Sequence, residues 1–142
     1  MPVPDAKALI DQYFIAMEWP FEAIDEGLWR CFFQGDIQLH DVFVSADEPG
    51  WVSFRSPVCP PVPEARRFAV YEHLLRLNAL VPLTKFCVLD DGQVFAMIDL
   101  PVADLDFSEF RTAVETLVNH ADAFDNEIFR LAGLEPPVFP QA

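Results

Sequence analysis

Three histidines, three cysteines, four serines and 23 carboxylates are the side chains here that could do chemistry, and their spacing gathers none of them into a known site. His40, His73 and His120 stand apart, with no second histidine three or four residues on, so zinc would need Cys or carboxylate ligands from distant segments. One histidine on a strand and two on helices read as half-exposed polar residues. Cys31, Cys59 and Cys87 are odd in number and contain no Cys-x-x-Cys, so they read as reduced, mostly buried thiols. Asp104, Asp106, Ser108, Phe110, Thr112 and Glu115 have the spacing of a calcium loop, but Glu109 stands where its tight turn needs glycine. Asp90-Asp91-Gly92 reads as a hairpin turn. No Gly-x-Ser-x-Gly, Gly-x-x-x-x-Gly-Lys or His-Glu-x-x-His occurs. The expectation is a non-enzyme, with no catalytic, cofactor-binding or metal-ligating residue and no cofactor.

The rest of the composition narrows the class. A chain of 142 residues suits one domain, and 9 basic against 23 acidic residues give 9 − 23 = −14. Apolar residues make up 52%, too many for a disordered acidic tail. No apolar run approaches the ~18 residues of a membrane span, and Met1-Pro2-Val3-Pro4-Asp5 lacks the basic and apolar regions of a signal peptide. A cytoplasmic protein is expected, without membrane contact. The basic residues are scattered, only Arg66 and Arg67 adjoining, so no basic stripe exists for a phosphate backbone and no direct nucleic-acid binding is expected. The charge favours a basic protein client, such as a DNA-binding protein.

These side chains are positioned by elements that the sequence marks clearly. Asp5 can cap a helix to Met17, with Leu9, Ile10, Tyr13, Phe14 and Met17 at helical spacing, and Trp19-Pro20 stops it. After a turn at Asp25-Glu26-Gly27, Trp29 to Phe33, Ile37 to Ser45 and Trp51 to Ser56 read as a three-strand antiparallel meander. Pro57 to Pro63 holds four prolines and reads as an irregular crossover into a helix from Glu64 to about Leu80. Lys85 to Leu89 and Gln93 to Leu100 read as a hairpin. Asp106 and Glu109 stand in capping-box positions before Phe110, Val114, Leu117, Ala121, Phe124, Ile128 and Leu131, and Gly133 stops that last helix. Glu115, Asp122, Asp125 and Glu127 fall elsewhere and read as solvated. The order α-β-β-β-α-β-β-α, an antiparallel sheet with three helices, defines an α+β class. One domain is expected over 1–134, followed by a mobile proline-rich tail over 135–142.

The strands are more apolar than one wet face requires. In the strand to Leu100, Val94, Ala96 and Ile98 point one way while Phe95 and Met97 point the other; in the first strand Phe32 lies opposite Trp29, Cys31 and Phe33. Either helices cover both faces, or apolar surface is kept for another chain. The second helix has a wide apolar face, with Phe68, Tyr71 and Leu75 beside the row Val70, Leu74, Leu77 and Val81. Phe32, Phe95, Met97, Phe68, Tyr71 and Leu75 are therefore the protein-interface candidates.

The helix end Glu72-His73-Leu74-Leu75-Arg76-Leu77-Asn78, the hairpin Phe86-Cys87-Val88-Leu89-Asp90-Asp91-Gly92-Gln93-Val94 and the long final helix resemble the YbjN-like proteins, whose fold is similar to that of type III secretion chaperones. The resemblance runs from about Asp5 to Gly133. It implies a homodimeric, chaperone-like or adaptor module without catalytic residues, gripping extended client segments through apolar patches and added strands. The other classes that suit a small acidic chain are an inhibitor or immunity-type protein and a small-ligand sensor.

Overall fold

Asp5 accepts a hydrogen bond from the Lys7 N–H at 3.1 Å and opens helix α1, Ala6–Met17. The computed structural model describes residues 5–137, so part of the expected tail, 138–142, lies outside the described residues. Six strands follow in chain order: β1 Phe21–Asp25, β2 Leu28–Gln34, β3 Leu39–Ser45, β4 Trp51–Cys59, β5 Lys85–Val88 and β6 Val94–Pro101. Between β4 and β5 lie a 3-10 turn, Glu64–Arg66, and helix α2, Arg67–Leu80; helix α3, Phe107–Ala132, closes the fold. All ladders are antiparallel, in the order β1-β2-β3-β4-β6-β5.

The α+β class and the order of elements agree with the sequence reading, with one strand added. β1 pairs Phe21 with Cys31 and Ala23 with Trp29, and only Phe21 is even half-buried. A short exposed edge strand carries no hydrophobic period of its own, because its partner's ladder defines it. β4 also runs on to Cys59, through Pro57, which the sequence places in an irregular crossover. Proline is accepted there because the ladder with β3 has already ended at Phe43 and Arg55.

Helix packing settles which sheet face is core. Phe14 of α1 stacks on Phe21 at 4.9 Å, and Trp29 donates to Asp11 at 2.6 Å. Phe110 of α3 meets Phe14 edge-on at 5.1 Å and Phe54 at 5.5 Å. Trp29, Cys31, Val42, Val44, Val52, Phe54, Ala96 and Ile98 all point to this helix layer and are buried. The segment with calcium-loop spacing is the capped start of α3: Glu109 N–H donates to Asp106 Oδ1 at 2.7 Å and Asp106 N–H to Glu109 Oε1 at 3.2 Å. Gly133, at φ 69°, ends the helix in the left-handed region. Cys31 and Cys59 are buried, and burial pushes their thiols up to about 12 and about 11 respectively, which removes them as nucleophiles.

His120 of α3 lies with Nδ1 2.6 Å from the hydroxyl of buried Thr84. Burial lowers its pKa below the ordinary 6.5, so the native state favours the neutral ring. The unfolded chain then takes up the proton more readily, and the stability from this residue, complete above about pH 6.5, is lost as pH falls through the lower native value. Thermal unfolding followed between pH 7.5 and 5 should show a falling midpoint, and His120→Gln should flatten that slope; an unchanged slope would contradict the assignment.

Candidate functional site

Among the described residues no helix packs on the other face of the sheet. The side chains alternating with the core residues form it: Arg30 and Phe32 on β2, Asp41 and Phe43 on β3, Trp51, Ser53, Arg55 and Pro57 on β4, Phe95, Met97 and Asp99 on β6, and Lys85 and Cys87 on β5. The register carries this face across the strands, with Phe32 opposite Asp41, Phe43 opposite Arg55, Arg55 opposite Met97 and Met97 opposite Lys85. Phe32 is 51% exposed and Trp51 46%, while Phe43, Pro57, Phe95 and Met97 are half-buried by their neighbours alone. Of the two arrangements the sequence allows, helices cover one face only.

Most of the charges on this face are paired within it. Arg30 donates to Asp41 Oδ1 from Nε at 3.0 Å and Nη2 at 2.7 Å, and to Glu22 from Nη1 at 3.1 Å. The same guanidinium lies 5.7 Å from the Phe32 ring centroid, a cation–π contact that fixes the ring at the surface. Lys85 reaches Asp99 at 2.7 Å, and Ser53 donates to the same carboxylate at 2.7 Å. Burial pushes Asp99 up, but these hydrogen bonds, with the Lys85 and Arg55 charges, hold it below its ordinary value. Arg30 thus serves both Glu22 and Asp41, Lys85 serves Asp99, and Arg55 stands with Glu48 at the groove without an ion pair among the described residues. The Cys87 Sγ lies 3.0 Å from the Met97 Sδ, and burial pushes this thiol up too. Beside the pairs, a groove of about 380 Å³ opens along Glu48, Trp51, Ser53, Arg55 and Asp99.

Helix α2 is apolar on two sides. Val70, Leu74 and Leu77 are buried toward the sheet and α3, while Phe68, Leu75 and Leu80 are 80, 71 and 73% exposed on the outside. Between them Glu72 accepts from Arg76 at 2.9 Å, so this stripe too carries a neutralised pair. Tyr71, in the same row as Phe68 and Leu75, is half-buried against the core. The structure therefore divides the six interface candidates: Phe32, Phe95 and Met97 lie on the helix-free sheet face, Phe68 and Leu75 on the outer side of α2, and Tyr71 between α2 and the core. Sequence reasoning missed Phe43, Trp51 and the Arg30–Asp41 pair. The alternation of Leu39, Asp41 and Phe43 against His40, Val42 and Val44 carried the signal for the first of these.

Two polar readings change. His40 is fully buried rather than half-exposed, with Nε2 3.2 Å from Asp122 Oδ1 and 3.6 Å from Asp125 Oδ2. Asp125, read as solvated, is 1% exposed. Burial raises its carboxyl pKa, against the pull of the Gln38 hydrogen bond and the nearby His40.

Among the described residues no helix is long and apolar enough to cross a membrane. A family profile described as "YbjN: Putative bacterial sensory transduction regulator" matches residues 7–130. No curated protein matches the chain. Among solved structures, YbjN from E. coli has 13% identity and a TM-score of 0.64 over 89% of this chain and 96% of that one. A chain of the ExsC–ExsE complex has 16% identity and a TM-score of 0.63, covering 89% and 95%. A chain of the structure of the Yersinia pestis type III secretion chaperone SycH with a fragment of YscM2 has 13% identity and a TM-score of 0.57, covering 82% and 96%. At these identities the likeness is one of fold.

Proposed function

The chain belongs to the YbjN family, and from that premise we propose that it is a non-catalytic, chaperone-like protein-binding module. It pairs with a second copy through α2 and offers the helix-free sheet face to a segment of a client protein. The observation that carries this reading is that face: aromatic rings and Met97, uncovered by any helix among the described residues, with Glu22, Asp41 and Asp99 each held in an ion pair. A surface whose acids are already largely paired presents apolar area to a partner with few charges left unmatched. SycH, named as a chaperone and solved with a protein fragment, has the same fold and supports the reading.

The distribution of charge supports a basic client. Asp25 and Glu26 of the β1–β2 turn, Asp47 and Glu48 of the β3–β4 turn, and Asp104 and Asp106 before α3 lie at one end of the sheet, with Glu26 and Asp47 beside Lys7. Backbone hydrogen bonds tie these loops together, from Ala46 N–H to Gly27 at 2.9 Å and from Val102 N–H to Gly50 at 2.9 Å. An apolar face beside an acidic pole suits a segment that is apolar where it docks and basic where it leaves the sheet. The open groove at Trp51 suits a partner's side chain better than an enclosed metabolite, which sets the ligand-sensor reading behind this one.

Self-association is tested by light scattering at micromolar concentration. The expected species is twice 16.1 kDa, and Leu75→Glu, which sets a charge in the exposed α2 stripe, should return it to a monomer with unchanged circular dichroism. A monomer from the unmodified chain, or a Leu75→Glu dimer, would overturn the α2 assignment.

A further inference from the structure

We propose that His40, Asp122 and Asp125 bind one divalent transition-metal ion at the seam between β3 and the second half of α3. This site lies in the helix layer and is separate from the surfaces assigned to protein partners. His40 projects from β3 into the core, and Asp122 and Asp125, three residues apart, project from one side of α3 to meet it. Imidazole Nε2 and one oxygen of each carboxylate all lie within 4.8 Å of one another. Donors about 2.1 Å from a common ion stand roughly 3–4 Å apart, so little movement separates these contacts from a coordination shell.

The charge of the ligand set suits a divalent cation. Among the described residues no Lys or Arg pairs with either carboxylate, and Asp125 is 1% exposed. As ligands, a neutral imidazole and two carboxylates sum to −2, which one divalent ion cancels, and binding displaces any proton the buried Asp125 holds. Both carboxylates are held in place: Asp36 N–H donates to Asp122 Oδ1 at 2.9 Å, and Gln38 Nε2 donates to Asp125 Oδ2 at 3.0 Å and to the Val58 carbonyl at 2.9 Å. Gly35 closes over them, since a Cβ there would lie 2.3 Å from Asp122 Oδ1 and 2.5 Å from His40 Nε2. The partly exposed Asp122 gives an ion its way in.

One nitrogen and two oxygens favour zinc, cobalt or manganese over calcium, which takes oxygen ligands throughout. Coordination through Nε2 leaves the proton on Nδ1, and that buried atom has no hydrogen-bond partner. Metal-bound imidazoles are ordinarily supported at this position, and losing such support typically costs about 10–100-fold in affinity. Micromolar rather than nanomolar zinc binding is therefore expected.

The test is titration of the metal-stripped full chain with ZnCl₂ and, separately, CoCl₂. The expected results are one ion per chain by calorimetry, a visible cobalt band and a higher unfolding midpoint with zinc. Asp122→Asn and Asp125→Asn should each weaken binding at least tenfold, while Asp91→Asn in the exposed hairpin should not. The ¹⁵N spectrum of His40 should shift on zinc addition in the manner of a coordinated Nε2. Absence of saturable binding at millimolar metal, or binding indifferent to Asp122→Asn, would overturn the site. So would a His40 spectrum that zinc leaves unchanged, which would identify the cluster as a proton-sharing contact. Asp122 is partly exposed, so its variant keeps the test usable if Asp125→Asn fails to fold.

Discussion

Phe110→Ala is expected to lower the stability of the chain by about 3–5 kcal/mol, the range for removing a fully buried phenylalanine ring. The Phe110 ring is completely inaccessible and meets Tyr13 at 5.5 Å, Phe14 at 5.1 Å and Phe54 at 5.5 Å. It is the point where α1, α3 and the sheet share one contact, so neighbours held by three separate elements cannot all collapse into the space it leaves. Total stability for a domain of this kind is about 5–15 kcal/mol, so the loss is a large fraction of the whole. Urea denaturation should show the midpoint falling with an unchanged slope, and thermal unfolding should drop by roughly 10 °C or more. A loss below about 1 kcal/mol would show that this junction is not packed as described. Phe124 lies on the same stripe of the sequence, and the heptad-like spacing alone predicts an equal cost for Phe124→Ala. The structure corrects that expectation: Phe124 is half-buried, against Phe86 at 6.1 Å and His120, so its truncation should cost about half as much.

Met97→Glu is expected to weaken client binding at least about 100-fold while leaving the fold intact. Met97 pairs across the strands with Arg55 on one side and Lys85 on the other, so a carboxylate there meets two bases and the exposed face accommodates it. For a docked client segment the same change places a charge where an apolar contact stood. The measurement is fluorescence polarisation against the partner recovered with the unmodified chain, with Phe32→Ser as a second variant at the far side of the face. Retained affinity in both variants, with native circular dichroism, would remove the sheet face from the proposal. The basic character of the client is tested separately: affinity should fall as salt rises from 50 to 500 mM, because screening weakens attraction to the acidic pole. Affinity insensitive to salt would leave the docking face standing and discard the basic client.

Features set by neighbours in the chain were readable from the residues. The helix of Phe110 to Leu131 follows from a spacing of three and four and from a capping box four residues long, both closed within a few turns of backbone. The hairpin around Asp91-Gly92 follows from a glycine at φ 90°, and the class follows from the order of such local elements. The family resemblance, read on the same strings, is matched over residues 7–130. β1 was not readable, because an exposed five-residue strand is defined by the ladder it joins.

The candidate surfaces divided along the same line. Alternation in β2 and β6 marked Phe32, Phe95 and Met97 as lying opposite the core set, and tertiary structure alone decided that all three helices pack on the other side. Periodicity fixes which residues share a face, but which face is covered depends on crossovers that bring segments far apart in the chain together. The His40, Asp122 and Asp125 cluster shows this most sharply. Its members are 82 and 85 positions apart from the histidine, and each alone looks like a solvated polar residue. Their burial arises only when α3 closes over β3, because desolvation is a property of the assembled interior rather than of any short run of residues.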